Sequence, residues 1–398
     1  MQAGWRIGSL FGIPIYLDSS WLIIITLVTW ANASEFSAQW QPVIAWSAGL
    51  AMALLLFGSV LLHELGHSLA AQSQGIKVNS ITLFIFGGIA AIDRESKTPE
   101  AAFQVAIAGP AVSFMLFVIL AMLAKVLPDM SIVKFLAADL SRINLVLGLF
   151  NLIPGLPLDG GQVLKAAVWK LTGDRFAGVH WAAKTGKALG MTAIALGLFM
   201  IFLANNPGGL WIALIGWFAL RNASAYDRFT DLQEALLQIK AQDAMVRAFR
   251  VVNADMSLRS FADEYILADD RQLIYFAASN GRYRGLVRPQ DLQTIERSEW
   301  DRQTLHSIVH PLPELISVSE NSSLVAAIKL MESKNLPWIT VLSPAEAVAG
   351  TIDRGDVVAA LAHKLNIPIG SAEIKRIKEE GKYPPGFQLG AIAEATEE

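Results

Sequence analysis

The sequence predicts a polytopic α-helical membrane domain of about six transmembrane helices, one of them broken, followed by a soluble α/β unit built from two copies of one repeat. Three observations carry this reading. Of 398 residues, 53% are hydrophobic and 17% charged, far from the balance of an ordinary soluble protein. The charges are unevenly spread, since residues 1–228 hold 25 of the 67 Asp, Glu, Lys and Arg residues and the remaining 170 hold 42. After residue 240, two stretches repeat at an offset of 65 or 66 residues.

Apolar stretches that could cross about 30 Å of hydrocarbon, roughly 20 residues each as helix, fall near 19–34, 43–71, 101–127, 142–170, 188–204 and 208–222. The first is short and follows Asp18. The fourth is interrupted by Pro154, Gly155, Pro157, Gly160 and Gly161. Trp5, Trp21, Trp30, Trp40 and Trp211 lie near predicted ends, where interfacial aromatics collect. The connections 34–43 and 204–208 lack Lys and Arg. Those at 72–100 and 165–187 carry Lys77, Arg94 and Lys97, and Lys165, Lys170, Arg175, Lys184 and Lys187. The positive-inside rule then places both chain ends in the cytoplasm of a multi-pass cell-membrane protein. In that topology the second and fourth spans run in the same direction, so their last turns meet near the cytoplasmic face. A net charge of −3 without a basic stripe predicts no nucleic-acid partner. With no Cys, disulfides and thiolate metal sites are excluded. The N-terminus lacks a basic region followed by a small-residue cleavage site, so no removable signal peptide is expected.

The second span carries HELGH at 63–67. On a helix, His63 and His67 stand at i and i+4 on one face, so two imidazoles can bind one Zn²⁺. Glu64 projects beside them as a candidate general base on metal-bound water, whose pKa the ion brings to about 7. A chance HExxH in a chain of this length has odds of about 1%. An ionisable side chain at mid-bilayer costs at least about 2.5 kcal/mol and marks function by default. The alternative is a metal-free polar contact between helices. A catalytic zinc needs a third protein ligand and one open position. The fourth span offers NLIPGLPLDGG at 151–161, where Pro154 and Pro157 remove backbone donors and the glycines allow bends. Irregular backbone at membrane depth is tolerated only where protein or water surrounds it. Asp159 therefore reads as a ligand facing a cavity, with helix capping as its alternative.

HELGH in one apolar helix, followed about 90 residues later by N-x-x-P-x-x-x-x-D-G-G in another, resembles the site-2 protease family of intramembrane zinc metalloproteases. The likeness is to the prokaryotic subgroup with six spans and a cytosolic CBS-domain tail. It implies zinc on His63, His67 and Asp159, Glu64 activating water, and Asn151 stabilising the oxyanion near the scissile carbonyl. Backbone satisfaction in the broken helix is the alternative for Asn151. FIFGGIAAI, 84–92, reads as a short strand or re-entrant loop. In the family this region is similar to an edge to which an extended substrate adds, which makes Gly87 and Gly88 substrate-binding candidates. AGP at Ala108–Pro110 also resembles the family pattern, and small residues in a membrane helix point to tight packing. The function implied is hydrolysis of peptide bonds in or near a substrate's transmembrane segment, releasing membrane-tethered transcription or anti-sigma factors. The competing class is a non-enzymatic membrane protein, either a channel or transporter gated by its tail or an inactive scaffold. An ion pathway does not require two His flanking a Glu at this spacing, and an inactive scaffold would be expected to have lost Glu64 or a ligand.

The soluble half aligns Val252 with Val318, Leu258 with Leu324, Gly285 with Gly350 and Asp291 with Asp356. With AQDAM at 241–245, this doublet resembles a tandem CBS pair, a module that often binds adenine nucleotides. Asp291 and Asp356 match the ribose-contacting Asp of that pattern, while Arg288 and Asp353 stand where Ser or Thr is usual. Nucleotide binding and pure dimerisation both stay open, the latter giving a homodimer through the CBS pair. The expected divisions are 1–228 for the transmembrane protease domain, 229–240 for a linker, 241–298 and 304–365 for the repeats, and 366–398 for a flexible tail. His180, His306 and His310 read as exposed or packing histidines.

Overall fold

Ile13 and Ile15 alternate inward along a strand near the N-terminus, and both are buried. In the computed structural model, which describes residues 4–85, 87–129, 131–267, 274–384 and 389–396, that strand is the second of a hairpin. The hairpin joins β1 (Trp5–Leu10) to β2 (Ile13–Leu17), turning at Phe11 and Gly12, both with positive φ. Helices α1 (Trp21–Phe36) and α2 (Pro42–Ser73) follow, then β3 (Val78–Phe84) and β4 (Gly87–Ile92). The four strands form one sheet in the order β1-β2-β3-β4, with β2 parallel to β3 and the other pairs antiparallel. Ile13, Val78, Ile81 and Leu83 of the sheet share a core with Ile25, Phe57 and Leu65 of the helices. This sheet was not foreseen as such. Strands of five to seven residues fall well below the window in which hydropathy identifies spans. Phe86, within the predicted 84–92 segment, lies outside the described residues.

The first unit, Met1–Thr230, continues with α3 (Pro99–Val126), α4 (Ile132–Asn151), α5 (Asp159–Thr172) and α6 (Arg175–Phe202), and α7 (Gly209–Gln238) follows. Thr98 caps α3 by accepting from the Ala101 amide, with Pro99 at the first helical position. Among the described residues, α2, α3 and α6 are long and apolar enough to cross a membrane, and α1 is a shorter apolar helix. The predicted fourth span is two helices. Pro154 and Pro157 lack an amide hydrogen, and a Cβ at Gly160 or Gly161 would overlap the backbone of Leu152 or Gly155, so the chain folds tightly back on itself before α5.

The second unit, Asp231–Glu398, holds α8 (Ala241–Ala244), β5 (Phe249–Asn253), α9 (Leu258–Phe261), β6 (Ile274–Ser279), β7 (Arg282–Val287) and β8 (Val309–Pro311). It continues with β9 (Ser317–Ser319), α10 (Leu324–Ser333), β10 (Trp338–Leu342), β11 (Val348–Asp353), α11 (Arg354–Lys364), α12 (Ser371–Glu380) and α13 (Leu389–Ala395). The repeat in the sequence is a repeat in pairing: β5 lies parallel to β6 and β6 antiparallel to β7, just as β9 lies parallel to β10 and β10 antiparallel to β11. Leu258 and Leu324 each open a helix and are fully buried. Ser257 and Ser323 each cap that helix, accepting from Ser260 and Ala326 amides at 3.1 Å.

The segment expected to be a flexible tail instead folds as α12 and α13. Ile377, Leu389, Ile392 and Ala393 are buried in one core with Leu324, Ile328 and Val341. Its high average charge concealed apolar residues at helical spacing. Pro385 and Gly386 of the YPPG stretch lie outside the described residues. Leu389→Ala is expected to cost about 2–5 kcal/mol of this unit's stability, the usual price of emptying a buried leucine site. Urea-dependent proteolysis of the full chain, followed at fragments from the second unit, measures it.

Candidate metal centre

HELGH lies in the C-terminal third of α2, and Asp159 is the first residue of α5, so two helices supply the cluster. His63 Nε2 is 3.0 Å from Asp159 Oδ2, His67 Nε2 is 3.3 Å from the same oxygen, and the two Nε2 atoms are 3.3 Å apart. His63 and His67 are buried. Among the described residues these three are the group of side chains positioned to hold a metal ion. Asp159 does not cap its helix, because the N-cap is Leu158 and no side-chain cap bond forms.

The chemistry of this donor set can be tested for fit to zinc. His67 Nδ1 lies 2.7 Å from the Val105 carbonyl, which only accepts, so Nδ1 carries the hydrogen and Nε2 of the neutral ring presents a lone pair. That lone pair faces a carboxylate oxygen and a second imidazole. Such convergence is unfavourable unless a cation sits among the atoms. A tetrahedral ion with bonds of about 2.0–2.1 Å sets its ligand atoms about 3.3 Å apart. The three separations here match that spacing, and three N/O donors leave a fourth position for water or substrate.

Glu64 is half-buried beside the cluster, and β4 passes against it. A Cβ at Gly88 would stand 2.5 Å from Glu64 Cγ, so only glycine lets the strand run this close. Gly87 opens β4 at φ +136°, a conformation few other residues adopt. β4 is an edge strand of its sheet, paired on one side with β3. Past its end, Glu95 bonds Lys165 of α5 at 2.8 Å and Glu100 of α3 bonds Lys170 of α5 at 3.0 Å. Lys165 is 6% exposed, so its pairing with Glu95 is obligatory, whereas the exposed Lys170–Glu100 pair contributes little. These pairs tether the chain leaving β4 to the helix that begins at Asp159. Asn151 is the last residue of α4, half-buried, where the break begins.

In the second unit, Asp291 Oδ2 lies 2.7 Å from His310 Nε2. Asp356 is 5% exposed and holds Lys378 Nζ of α12 at 2.5 Å, while Asp353 Oδ2 holds the same ammonium at 3.1 Å. Burial works against a charge on Lys378, but its bonds to Asp356 and Asp353 raise its pKa above the ordinary 10.5. Asp353 and Asp356 also cap the start of α11 reciprocally, the backbone amide of each donating to the side-chain carboxylate of the other. Both candidate ribose contacts thus have partners within the chain. Neither His310 nor Lys378 was legible as such a partner, because each joins its Asp from a different element.

Two imidazoles of an apolar helix and a distant carboxylate converging beside a glutamate define a metalloprotease-type centre in a membrane protein. Residues 51–142 and 127–193 match Peptidase family M50, and residues 307–363 match the CBS domain. The chain is 39% identical over 365 residues to "Putative zinc metalloprotease sll0528" of Synechocystis sp., covering 91% of this chain and 96% of that protein. It is 31% identical over 363 residues to "Putative zinc metalloprotease Rip3" of Mycobacterium tuberculosis, covering 90% and 92%. A solved structure titled "Site-2 Protease from Methanocaldococcus jannaschii" is 31% identical, with a TM-score of 0.43, covering 56% of this chain and 95% of that one. The chain belongs to peptidase family M50, the site-2 proteases, and is a zinc metalloprotease.

Two outcomes are expected. Asp159→Ala should lose the stoichiometric zinc of the purified protein, read by elemental analysis. Gly88→Ala should keep that zinc yet cut a single-span reporter at least about tenfold more slowly, because the new Cβ displaces Glu64; losses of this size follow small displacements of reacting groups.

Proposed function

We propose that the chain is an intramembrane endopeptidase hydrolysing peptide bonds in or near transmembrane segments of membrane-protein substrates, with zinc held by His63, His67 and Asp159. The observation that carries this reading is the set of three N/O ligand atoms 3.0–3.3 Å apart, two of them on an apolar helix. Bound zinc supplies Lewis acidity, lowering the pKa of water to about 7 and polarising a carbonyl.

The protein's own groups then order the reaction. A peptide amide inside a helix is shielded by its own hydrogen bonds, so the substrate must enter extended. The free side of β4 offers main-chain donors and acceptors for such a segment; Gly88 brings the strand against Glu64, and Gly87 leaves open space where its own side chain would stand. Water attacks the carbonyl carbon while the Glu64 carboxylate takes its proton. The C–N bond breaks as that proton passes to the departing amine. Asn151 presents an amide donor to the oxygen that becomes negative.

The membrane reading counts six spans: α1, α2, α3, the α4–α5 pair across its break, α6 and α7. Both termini face the cytoplasm in this topology. The CBS pair is read as a cytosolic regulator that dimerises or takes an adenine nucleotide. At the second repeat, ribose hydroxyls would have to replace Lys378 on Asp356. Occupancy there is therefore coupled to release of α12.

Co-expression with a single-span substrate tests the enzyme. Glu64→Gln should bind zinc normally and lose at least about 10²-fold in cleavage, the low end for a positioned proton carrier; cleavage at the wild-type rate would sink the mechanism. Titration of ATP, ADP and AMP against the full chain tests the regulator. Lys378→Ala should bind nucleotide more tightly than wild type, and equal binding would refute the competition at Asp356.

A further inference from the structure

The AGP triplet of α3 has a role that packing alone does not describe. Val105, Gly109 and Ser113 stand at i, i+4 and i+8, one stripe along a single helix face. Each meets the metal centre differently. The Val105 carbonyl accepts from His67 Nδ1 at 2.7 Å. Ser113 Oγ lies 2.9 Å from His63 Nδ1 and is fully buried. Between them, a Cβ at Gly109 would overlap His67 Nε2 and come within 2.7 Å of His63 Nε2. The two ring edges therefore stand in space left by a missing side chain.

The contact is reciprocal. Gly66, inside HELGH, faces α3 so closely that a Cβ there would meet the Ala108 carbonyl and Val112 Cγ2 at 2.9 Å. One glycine from each helix thus sets the approach of α2 and α3. Pro110 adds a local effect, since it lacks the amide that would bond the Ala106 carbonyl one turn back. The backbone loosens by one hydrogen bond beside the carbonyl that His67 uses.

We propose that this face of α3 is the orienting wall of the zinc site, with Ser113 and Gly109 as positioning residues. Both imidazoles are held with Nδ1 toward α3, which turns both Nε2 atoms toward Asp159. Ser113 fixes the ring of His63 through its hydroxyl, and Gly109 provides the volume in which both rings stand. The inference rests on the zinc reading above and adds groups outside the donor set His63, His67 and Asp159.

Zinc affinity of the purified full chain in detergent, measured by competition with a chromophoric chelator, tests it together with the visible spectrum of the cobalt form. Ser113→Ala is expected to weaken zinc binding about 10–100-fold, the usual effect of removing a hydrogen bond behind a ligating histidine, and to shift the cobalt bands. Gly109→Ala is expected to abolish stoichiometric binding. Should Gly109→Ala fail to fold, Ser113→Ala decides alone, because a packing defect leaves the cobalt bands in place while a turned imidazole moves them. Wild-type affinity and spectrum in Ser113→Ala would overturn the inference. Zinc bound by wild type independently of His63 and His67 would overturn both this inference and the proposed function.

Discussion

Three lone-pair-bearing atoms pointing at one another inside an apolar bundle form the constraint on which the rest of the first unit depends. Hydrocarbon offers none of the compensation that water would give a buried carboxylate and two imidazoles. The arrangement is favourable only with a cation at its centre and with every outward-facing polar atom engaged by protein. The surrounding fold engages the outward nitrogen of each ring. His67 gives its second nitrogen to a backbone carbonyl, His63 gives its own to a hydroxyl, and Asp159 enters on backbone that has left the helix before turning into α5.

Bringing these groups together requires unusually close backbones, and the chain achieves this by omission. Gly66 and Gly109 let α2 and α3 approach, Gly88 lets an edge strand pass beside Glu64, and Gly160 and Gly161 let the break fold back tightly. Each position is small because a backbone, an imidazole or the Glu64 side chain occupies the place of a side chain. Membrane helices lack a hydrophobic force between them and gain contact energy through such proximity. Here proximity also brings the edge strand β4 against the Glu64 side chain.

The metal cluster was legible because polar residues in an apolar background carry strong signal, and because Pro and Gly announce irregular backbone. HELGH and the Asp159 stretch were therefore found without any structure, and the broken span was foreseen as broken. The α3 wall was not. A serine or threonine in an apolar helix commonly bonds its own preceding turn, as Ser68, Thr185 and Thr192 do here, so Ser113 carried no distinguishing mark. Of the N-terminal sheet, only the segment 84–92 was legible, as a short strand or re-entrant loop; the other strands escaped because they are short and β2 and β3 lie far apart in sequence. The α12 and α13 helices escaped because composition averaged over a window hides an apolar stripe.

The second unit shows how a departure from a motif can have a local cause. Asp353 stands where Ser or Thr was expected, and its carboxylate does two things a hydroxyl would do less well. It caps α11 by accepting from the Asp356 amide, and it shares Lys378 with Asp356. Two adjacent carboxylates with Asp356 buried would repel one another, so the second acid is tolerable because an ammonium lies between them. The same residue that weakens the likeness to a nucleotide site thus fastens α12 to the repeat. A second cation reinforces the same region: Arg354 bonds Glu332 and the Leu336 carbonyl, with its guanidinium 5.7 Å from the Tyr383 ring. The carboxylate pair, with Asp356 buried, needs a positive partner, and α12 brings one while its neighbouring Ile377 enters the core.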